Sequence, residues 1–173
     1  SYVKTPYANT LADKVLESAL LGRDNFKSYS YLDRGSDERQ WCSPGFRLPV
    51  CTFCRSKFGE YPEYHTSGDD FSVVSEEGLQ GSLDVLKSIV DAFEFGENPK
   101  VVLPCEPQMG KRNLYPNISC LYSERHPAAE RMDILAYCDG ENNAFDISKL
   151  TNIGLKKVIK ELKILRENRL LRN

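Results

Sequence analysis

The sequence has 173 residues and a mass of 19.7 kDa, the size of one domain or of one domain with a small second unit. Hydrophobic residues make up 40% and charged residues 28%, which excludes a disordered tail, and no stretch reaches the roughly 20 apolar residues of a membrane-spanning helix. The formal net charge of −2 excludes a uniformly basic nucleic-acid-binding protein.

Charge is distributed unevenly along the chain. Residues 1–95 contain 10 Lys and Arg against 15 Asp and Glu, a net charge of −5. Residues 96–173 contain 13 against 10, a net charge of +3. We therefore expect two units with different surfaces.

The first 95 residues alternate between strand and helix patterns. We predict strands at residues 2–4, 27–32 and 48–54 from their β-branched, aromatic and apolar runs. A helix capped by Asn9 runs through Leu21, and a second helix opens at Ser75 and ends at Gly96. This alternation predicts an α/β layer architecture for residues 1–95.

Residues 96–173 have a different pattern. Residues 96–124 contain four prolines and read as an ordered connector. After it we predict helices at 127–137, at 147–150 with Asp146 as its cap, and at 155–167, followed by a strand at 169–171. Helix, short helix, turn, longer helix and strand predict a winged helix-turn-helix over residues 125–173.

The six cysteines, at positions 42, 51, 54, 105, 120 and 138, are compatible with three disulfides. The apolar content is high enough to form a core without them, so we expect free thiols and a cytoplasmic protein. Cys51 and Cys54 form a lone CxxC on a predicted strand, where they would point to opposite faces. We therefore interpret them as buried thiols and not as a metal site.

His65 is the candidate metal ligand that the residues themselves suggest. It follows a predicted strand, on a loop that carries carboxylates on both sides. Strand ends in α/β sheets are common positions for sites, and an imidazole held by a carboxylate is a common metal ligand. Taken alone, however, a single loop histidine is more often structural than metal-binding.

Two segments resemble a known family. The first reads GSDERQWCSPG (35–45) with LPV at 48–50, and the second reads YPEYHTSGDDFSVVSEEGL (61–79). The second is similar to the closing motif of co-catalytic zinc aminopeptidases. Both segments, in this order and followed by a winged helix, resemble polysaccharide biosynthesis proteins with an aminopeptidase-like domain. The resemblance covers nearly the whole chain and implies that residues 1–95 are part of a three-layer zinc-aminopeptidase-like fold.

The resemblance also implies roles for individual residues. His65 would be the last ligand of a two-zinc site, and the Tyr64 phenol would hydrogen-bond the developing oxyanion. Asp37 and Glu38 would line the substrate end of the cleft, where a carboxylate can pair with the α-ammonium of a peptide or aminoacyl substrate. The alternatives are that Tyr64 only packs, and that Asp37 and Glu38 cap a helix.

The same resemblance makes two arginines candidates for substrate binding. Arg39 or Arg55 would hold a carboxylate of the substrate or of the protein. For Arg39, the alternative is an ion pair with Asp37 or Glu38.

The remaining zinc ligands of the family are absent from this sequence. A two-zinc hydrolytic site needs about five ligands and a general-base Glu, and the family supplies most of them upstream of the matching region. The only other histidine here is His126, and the sequence does not begin with Met. We therefore expect the C-terminal part of a longer hydrolase, inactive and weakly zinc-binding alone. Its expected partners are the missing N-terminal half and, through exposed strand edges, a second copy.

The basic C-terminal helix suggests a second class of function. Residues 154–172 carry seven Lys and Arg against two Glu, and the helix contains Lys156, Lys157, Lys160 and Lys163. These lysines could follow nucleic-acid phosphates, or the winged helix could serve packing or dimerisation on a non-catalytic α/β scaffold. A third hypothesis is a catalytically inactive parent that binds a small amino compound or sugar intermediate.

Overall fold

The computed structural model describes residues 1–96, 98–115 and 127–172. The chain divides into two compact units, Ser1–Val90 and Asp91–Asn173. The secondary-structure elements, in chain order, are β1 (Tyr2–Val3), α1 (Leu11–Leu20), β2 (Ser28–Tyr29), α2 (Glu38–Trp41), β3 (Thr52–Phe53), α3 (Glu76–Phe95), α4 (Pro127–Ala136), α5 (Ala144–Thr151) and α6 (Leu155–Glu167).

A three-stranded sheet with the order β2-β1-β3 organises the first unit. The central strand β1 pairs in parallel with β2, with Tyr2 opposite Ser28, and antiparallel with β3, with Tyr2 opposite Phe53. Tyr2 and Val3 are completely buried, as expected for a central strand. Helix α1 connects the parallel strands, and its apolar face contributes to the core through Val15, Leu16, Ala19 and Leu20.

A buried carboxylate fixes the start of α1. Asp13 accepts the backbone N–H groups of Thr5 and Thr10 at 2.9 and 3.0 Å and both threonine hydroxyl groups at 2.5 and 2.7 Å. The Cys51 thiol, in the segment just before β3, donates to the same carboxylate at 3.5 Å. Asp13 therefore links the loop after β1, the cap of α1 and the approach to β3.

The second unit is built around α4, α5 and α6. The left-handed residue Asn152 ends α5, and the buried Ser148 hydroxyl donates to the Ile153 carbonyl at 2.7 Å, which closes the turn to α6. Two isolated bridges, Lys100–Asp139 and Val101–Leu171, complete the unit. Its core consists of apolar side chains spaced along the helices, among them Ile134, Ile147, Leu155, Val158, Leu162 and Leu165.

The structure corrects several predicted boundaries. The strands predicted at 2–4, 27–32 and 48–54 shorten to two residues each, and only Leu171 of the predicted strand 169–171 forms a bridge. Thr10 caps α1 in place of Asn9, and Asn143 caps α5 while Asp146 is the third residue of that helix. The helix predicted at 155–167 is observed over the same residues.

Within the described residues, no helix is long and apolar enough to cross a membrane. The five described cysteines are free thiols, and Cys120 lies outside the described residues. His126 and part of the predicted connector 96–124 also lie outside them.

Candidate functional site

The segment Tyr61–His65 forms a loop of tight turns. The amide of Thr66 donates to the Glu63 carbonyl at 2.9 Å, and the Thr66 hydroxyl donates to the same oxygen at 2.7 Å. His65 between them has a φ of 60°, in the left-handed region that non-glycine residues rarely adopt. The side chain of His65 is exposed to solvent.

Tyr64 supports the imidazole of His65 through ring contacts. The two rings stack with centroids 4.0 Å apart and an interplanar angle of 18°. The Tyr64 ring also contacts the ring of Phe58, with centroids 6.2 Å apart, and packs edge-to-face with the ring of Tyr61, with centroids 5.7 Å apart. Tyr64 is half-buried in this aromatic cluster, so its packing and its predicted role as a hydrogen-bond donor are compatible.

The structure places Glu38 in the interior. Its side chain is 1% exposed and accepts the N–H groups of Gly35 and Ser36, at 2.7 and 3.2 Å, and the Thr52 hydroxyl at 2.6 Å. Burial raises the pKa of the carboxyl, but the hydrogen bonds outweigh it, and the pKa lies below its usual range. Glu38 thus holds the loop before α2 against β3.

The other predicted substrate-binding residues lie at separate positions of the first unit. Asp37 occupies the cap position of α2 with its side chain exposed and without a capping hydrogen bond. Arg39 lines one surface cavity and Arg55 lines another, where the Arg55 guanidinium approaches Gly81 of α3. The described residues do not bring Arg39 and Arg55 into one cavity, and no ion pair joins Arg39 to Asp37 or Glu38.

The donor atoms present do not form a zinc site by themselves. Within residues 1–96, 98–115 and 127–172, no three His, Cys, Asp or Glu side chains are grouped closely enough to hold a metal ion. The Cys51 thiol is a poor metal ligand as well, because burial, together with the nearby Asp13 carboxylate, raises the pKa of Cys51 to about 12. The imidazole of His65, the predicted ligand, therefore belongs to no such group in the described chain.

The two buried carboxylates predict how stability depends on pH. Burial raises the pKa of Asp13 and Glu38, but hydrogen bonds outweigh it and hold both values below the usual range. Their stabilisation is therefore complete above the unfolded-state pKa of about 4 and is lost as the pH falls through the lower folded-state values. We expect the urea midpoint, followed by Trp41 fluorescence, to be constant between about pH 6 and 5 and to fall steeply below about pH 4. A midpoint that holds or rises on acidification would contradict this.

The four predicted phosphate-contacting lysines of α6 are all exposed. Lys157 pairs with Glu130 of α4, and Lys156 also interacts with another group. The side chains of Lys160 and Lys163 form no ion pair or hydrogen bond within the described residues.

Sequence reasoning did not single out Arg34 and Arg47, which line the same cavity as Arg39. The available signal was three arginines within 14 residues, between Arg34 and Arg47, with no lysine among them. Asp13 was also missed as a buried carboxylate, although Thr10 and Asp13 have the spacing of a capping box.

Two family models together match nearly the whole chain. Residues 1–96 match the family described as "Domain of unknown function (DUF4910)", and residues 98–173 match the winged helix-turn-helix family. The chain is 30% identical over 165 residues to a Clostridium acetobutylicum protein named "Putative polysaccharide biosynthesis protein with aminopeptidase-like domain". That match covers 91% of this chain and 37% of the relative.

A solved structure shows the same relation. A crystal structure named "putative peptidase from Clostridium acetobutylicum" superposes with a TM-score of 0.74 and 26% identity, over 99% of this chain and 38% of that chain. The chain thus spans less than two fifths of the relatives it matches. These matches confirm the predicted resemblance, a mixed α/β fold and a winged helix-turn-helix. The chain belongs to the DUF4910 family, and in it a winged helix-turn-helix domain follows the DUF4910 domain.

Proposed function

We propose that the chain is the C-terminal part of a zinc-dependent aminopeptidase-like hydrolase with a three-layer α/β fold, acting on an N-terminal amino acid or a related amide. One observation carries the proposal. The His65 imidazole is solvent-exposed and stacked on Tyr64, in the loop whose sequence resembles the closing motif of co-catalytic zinc aminopeptidases. The names of the Clostridium acetobutylicum relatives support the same class of reaction.

In this proposal His65 supplies one ligand to a zinc site whose other ligands come from outside residues 1–173. Stacking on Tyr64 and the turn around Glu63 and Thr66 limit the rotation of the ring, which lowers the entropy lost on metal binding. The Tyr64 phenol would donate a hydrogen bond to a substrate carbonyl bound beside His65. Asp37 offers an exposed carboxylate for a substrate ammonium group, Arg55 a guanidinium for a carboxylate, and Glu38 orders the loop that carries Asp37.

An apolar stripe on α3, exposed in the described part of the structure, supports a larger assembly. Leu79, Leu83, Leu86 and Val90 recur on one side of the helix and are each 50–65% exposed, whereas Val85 on another side is buried. Fully burying one such side chain stabilises a structure by about 1.5–3 kcal/mol, so a solvent-exposed stripe is unfavourable. We assign this stripe to the polypeptide that corresponds to the unmatched part of the relatives. If the stripe is instead buried between two copies of the chain, the predicted homo-oligomer explains it.

Hydrolysis of L-aminoacyl p-nitroanilides tests the proposed reaction. The 173-residue chain is expected to be inactive, and the chain expressed with any sequence that precedes Ser1 in its gene is expected to be active and zinc-dependent. Zinc binding without hydrolysis of any aminoacyl substrate would contradict the hydrolase and would favour a binding protein for a small amino compound.

A second candidate function, nucleic-acid binding, rests on the exposed lysines of α6. In winged helix-turn-helix domains the second helix of the motif can enter the major groove, and here it carries Lys156, Lys157, Lys160 and Lys163 on exposed positions. Because Lys157 already pairs with Glu130, fewer than four charges are free for phosphates.

We expect the duplex affinity to be weak and strongly salt-dependent. Fluorescence anisotropy with a labelled duplex should show dissociation constants no tighter than about 10⁻⁶ M near physiological salt. Lys160→Gln with Lys163→Gln should reduce the slope of log affinity against log salt by about 2 units, whereas the matched variant Lys14→Gln with Lys27→Gln, in the first unit, should not. Absence of retention at low salt would exclude this function.

A further inference from the structure

Three arginines line one surface cavity of the first unit. Arg34, Arg39 and Arg47 share a cavity of about 390 Å³ with Tyr7 and Tyr31, and no acidic residue is among the described residues that line it. Volumes of this size are typical of small-molecule sites. The cavity therefore combines three positive charges with aromatic walls.

The three guanidinium groups are held to different extents. Arg34 lies 4.8 Å from the centre of the Tyr31 ring, and Arg47 donates through Nε to the Pro44 carbonyl at 3.1 Å. The Arg39 side chain is exposed, and its guanidinium forms no hydrogen bond or ion pair in the described part of the chain. Each arginine retains unused N–H donors, and those of Arg39 are all available.

The acidic side chains nearest in sequence are engaged elsewhere or do not line the cavity. The Glu38 carboxylate accepts hydrogen bonds from Gly35, Ser36 and Thr52 in the interior. Asp33 accepts the Ser30 amide at 3.1 Å, and Asp37 is absent from the cavity lining. Among the described residues, therefore, no carboxylate neutralises the positive charge of the arginines inside the cavity.

We propose that this cavity binds the anionic group of a small ligand, a phosphate monoester or a carboxylate. A guanidinium presents paired N–H donors that match two oxygens of either anion. Because the Arg39 guanidinium has no described protein partner, an anion can bind it without displacing a hydrogen bond or ion pair within the protein. Tyr7 and Tyr31 provide the surface against which the body of such a ligand packs. The site goes beyond the proposed hydrolysis, since its ligand can be bound whether or not zinc or catalysis is present.

Binding of inorganic phosphate, phenyl phosphate and acetate to the 173-residue chain tests this site, measured by isothermal titration calorimetry at constant ionic strength. We expect saturable binding, tighter for phenyl phosphate than for inorganic phosphate. Arg39→Gln should weaken phenyl phosphate binding by at least about tenfold. Arg23→Gln removes an exposed arginine that lines a different cavity and should change the affinity by less than about twofold.

The anion that binds shows whether the anionic group of the ligand is a carboxylate or a phosphate monoester. Saturable binding of acetate with no binding of either phosphate assigns a carboxylate ligand, and the reverse assigns a phosphate monoester. No saturation with any of the three anions would overturn the proposal, as would equal weakening by Arg39→Gln and Arg23→Gln. Because none of these measurements involves hydrolysis, failure here is distinguishable from failure of the proposed reaction.

Discussion

Replacing His65 by alanine is expected to lower kcat/KM for an L-aminoacyl p-nitroanilide by at least about a hundredfold. The measurement uses the longest expressed form, that is, the chain together with any sequence that precedes Ser1 in its gene. The exposed imidazole, stacked on Tyr64, is the candidate metal ligand of the described chain. Loss of a ligand lowers metal affinity and with it every step that depends on the metal. Circular dichroism and the urea midpoint should remain close to those of the unaltered protein, because the side chain is not part of the core.

The second histidine provides the matched control for this experiment. His126→Ala removes an imidazole that no proposed role uses and should leave kcat/KM within about twofold. Tyr64→Phe keeps the ring stack with His65 and removes the hydroxyl, so it should lower kcat more than it changes KM. Equal activity of His65→Ala and the unaltered protein would contradict the assignment of this residue.

Replacing Asp13 by alanine is expected to destabilise the first unit by about 3–5 kcal/mol. The change removes the acceptor of two backbone N–H groups, from Thr5 and Thr10, and of both threonine hydroxyl groups, in a place where the side chain is 1% exposed. Buried donors without an acceptor lose the hydrogen bond and keep the cost of desolvation. Such a loss is a large fraction of the stability of an ordinary domain, about 5–15 kcal/mol.

Urea unfolding followed by the fluorescence of Trp41, the single tryptophan, measures this effect in the unit that contains Asp13. Asp24→Ala is the control, because Asp24 is exposed on a loop and its loss should change stability by less than about 0.5 kcal/mol. A midpoint shift for Asp13→Ala no larger than that for Asp24→Ala would show that the buried network contributes little.

The helices were predictable because their apolar residues repeat with the helical period. Helix α6 is the clearest case, since Leu155, Val158, Ile159, Leu162 and Leu165 all lie in the core. The predicted start of this helix, directly after Gly154, is also the observed one, and Gly154 has no side chain that could cap it. Capping positions were less predictable, because Thr10 and Asp13, like Asn143 and Asp146, act as reciprocal pairs in which the acidic residue is the third residue of the helix.

The strands were overpredicted for a local reason. In the segment 48–54, the Leu48 amide donates to the Trp41 carbonyl and the Val50 amide donates to the Leu48 carbonyl, so local turns use groups that a strand would need. After Ser28–Tyr29, the side chain of Ser30 accepts the Leu32 amide and Asp33 accepts the Ser30 amide, which starts a helical turn. Residue propensities favour strands in both segments, and these competing hydrogen bonds limit them to two residues.

The candidate site was predictable only where a motif marked it. The loop around His65 was found from its sequence, and the structure leaves that imidazole accessible. The burial of Glu38 was not predictable, because its neighbours Asp37 and Arg39 are exposed and the three residues form one polar run. The arginine cavity depends on contacts between the loop after β1, the turn before α2 and the turn after it, which residue types alone do not specify.

The zinc content of the longest expressed form tests the central claim most directly. After dialysis against metal-free buffer, the unaltered protein is expected to retain about two zinc ions per chain, as a co-catalytic site requires, and His65→Ala is expected to retain fewer. Zinc contents that are equal in the two proteins, or an absence of zinc from both after reconstitution, would contradict a metal-binding role for His65.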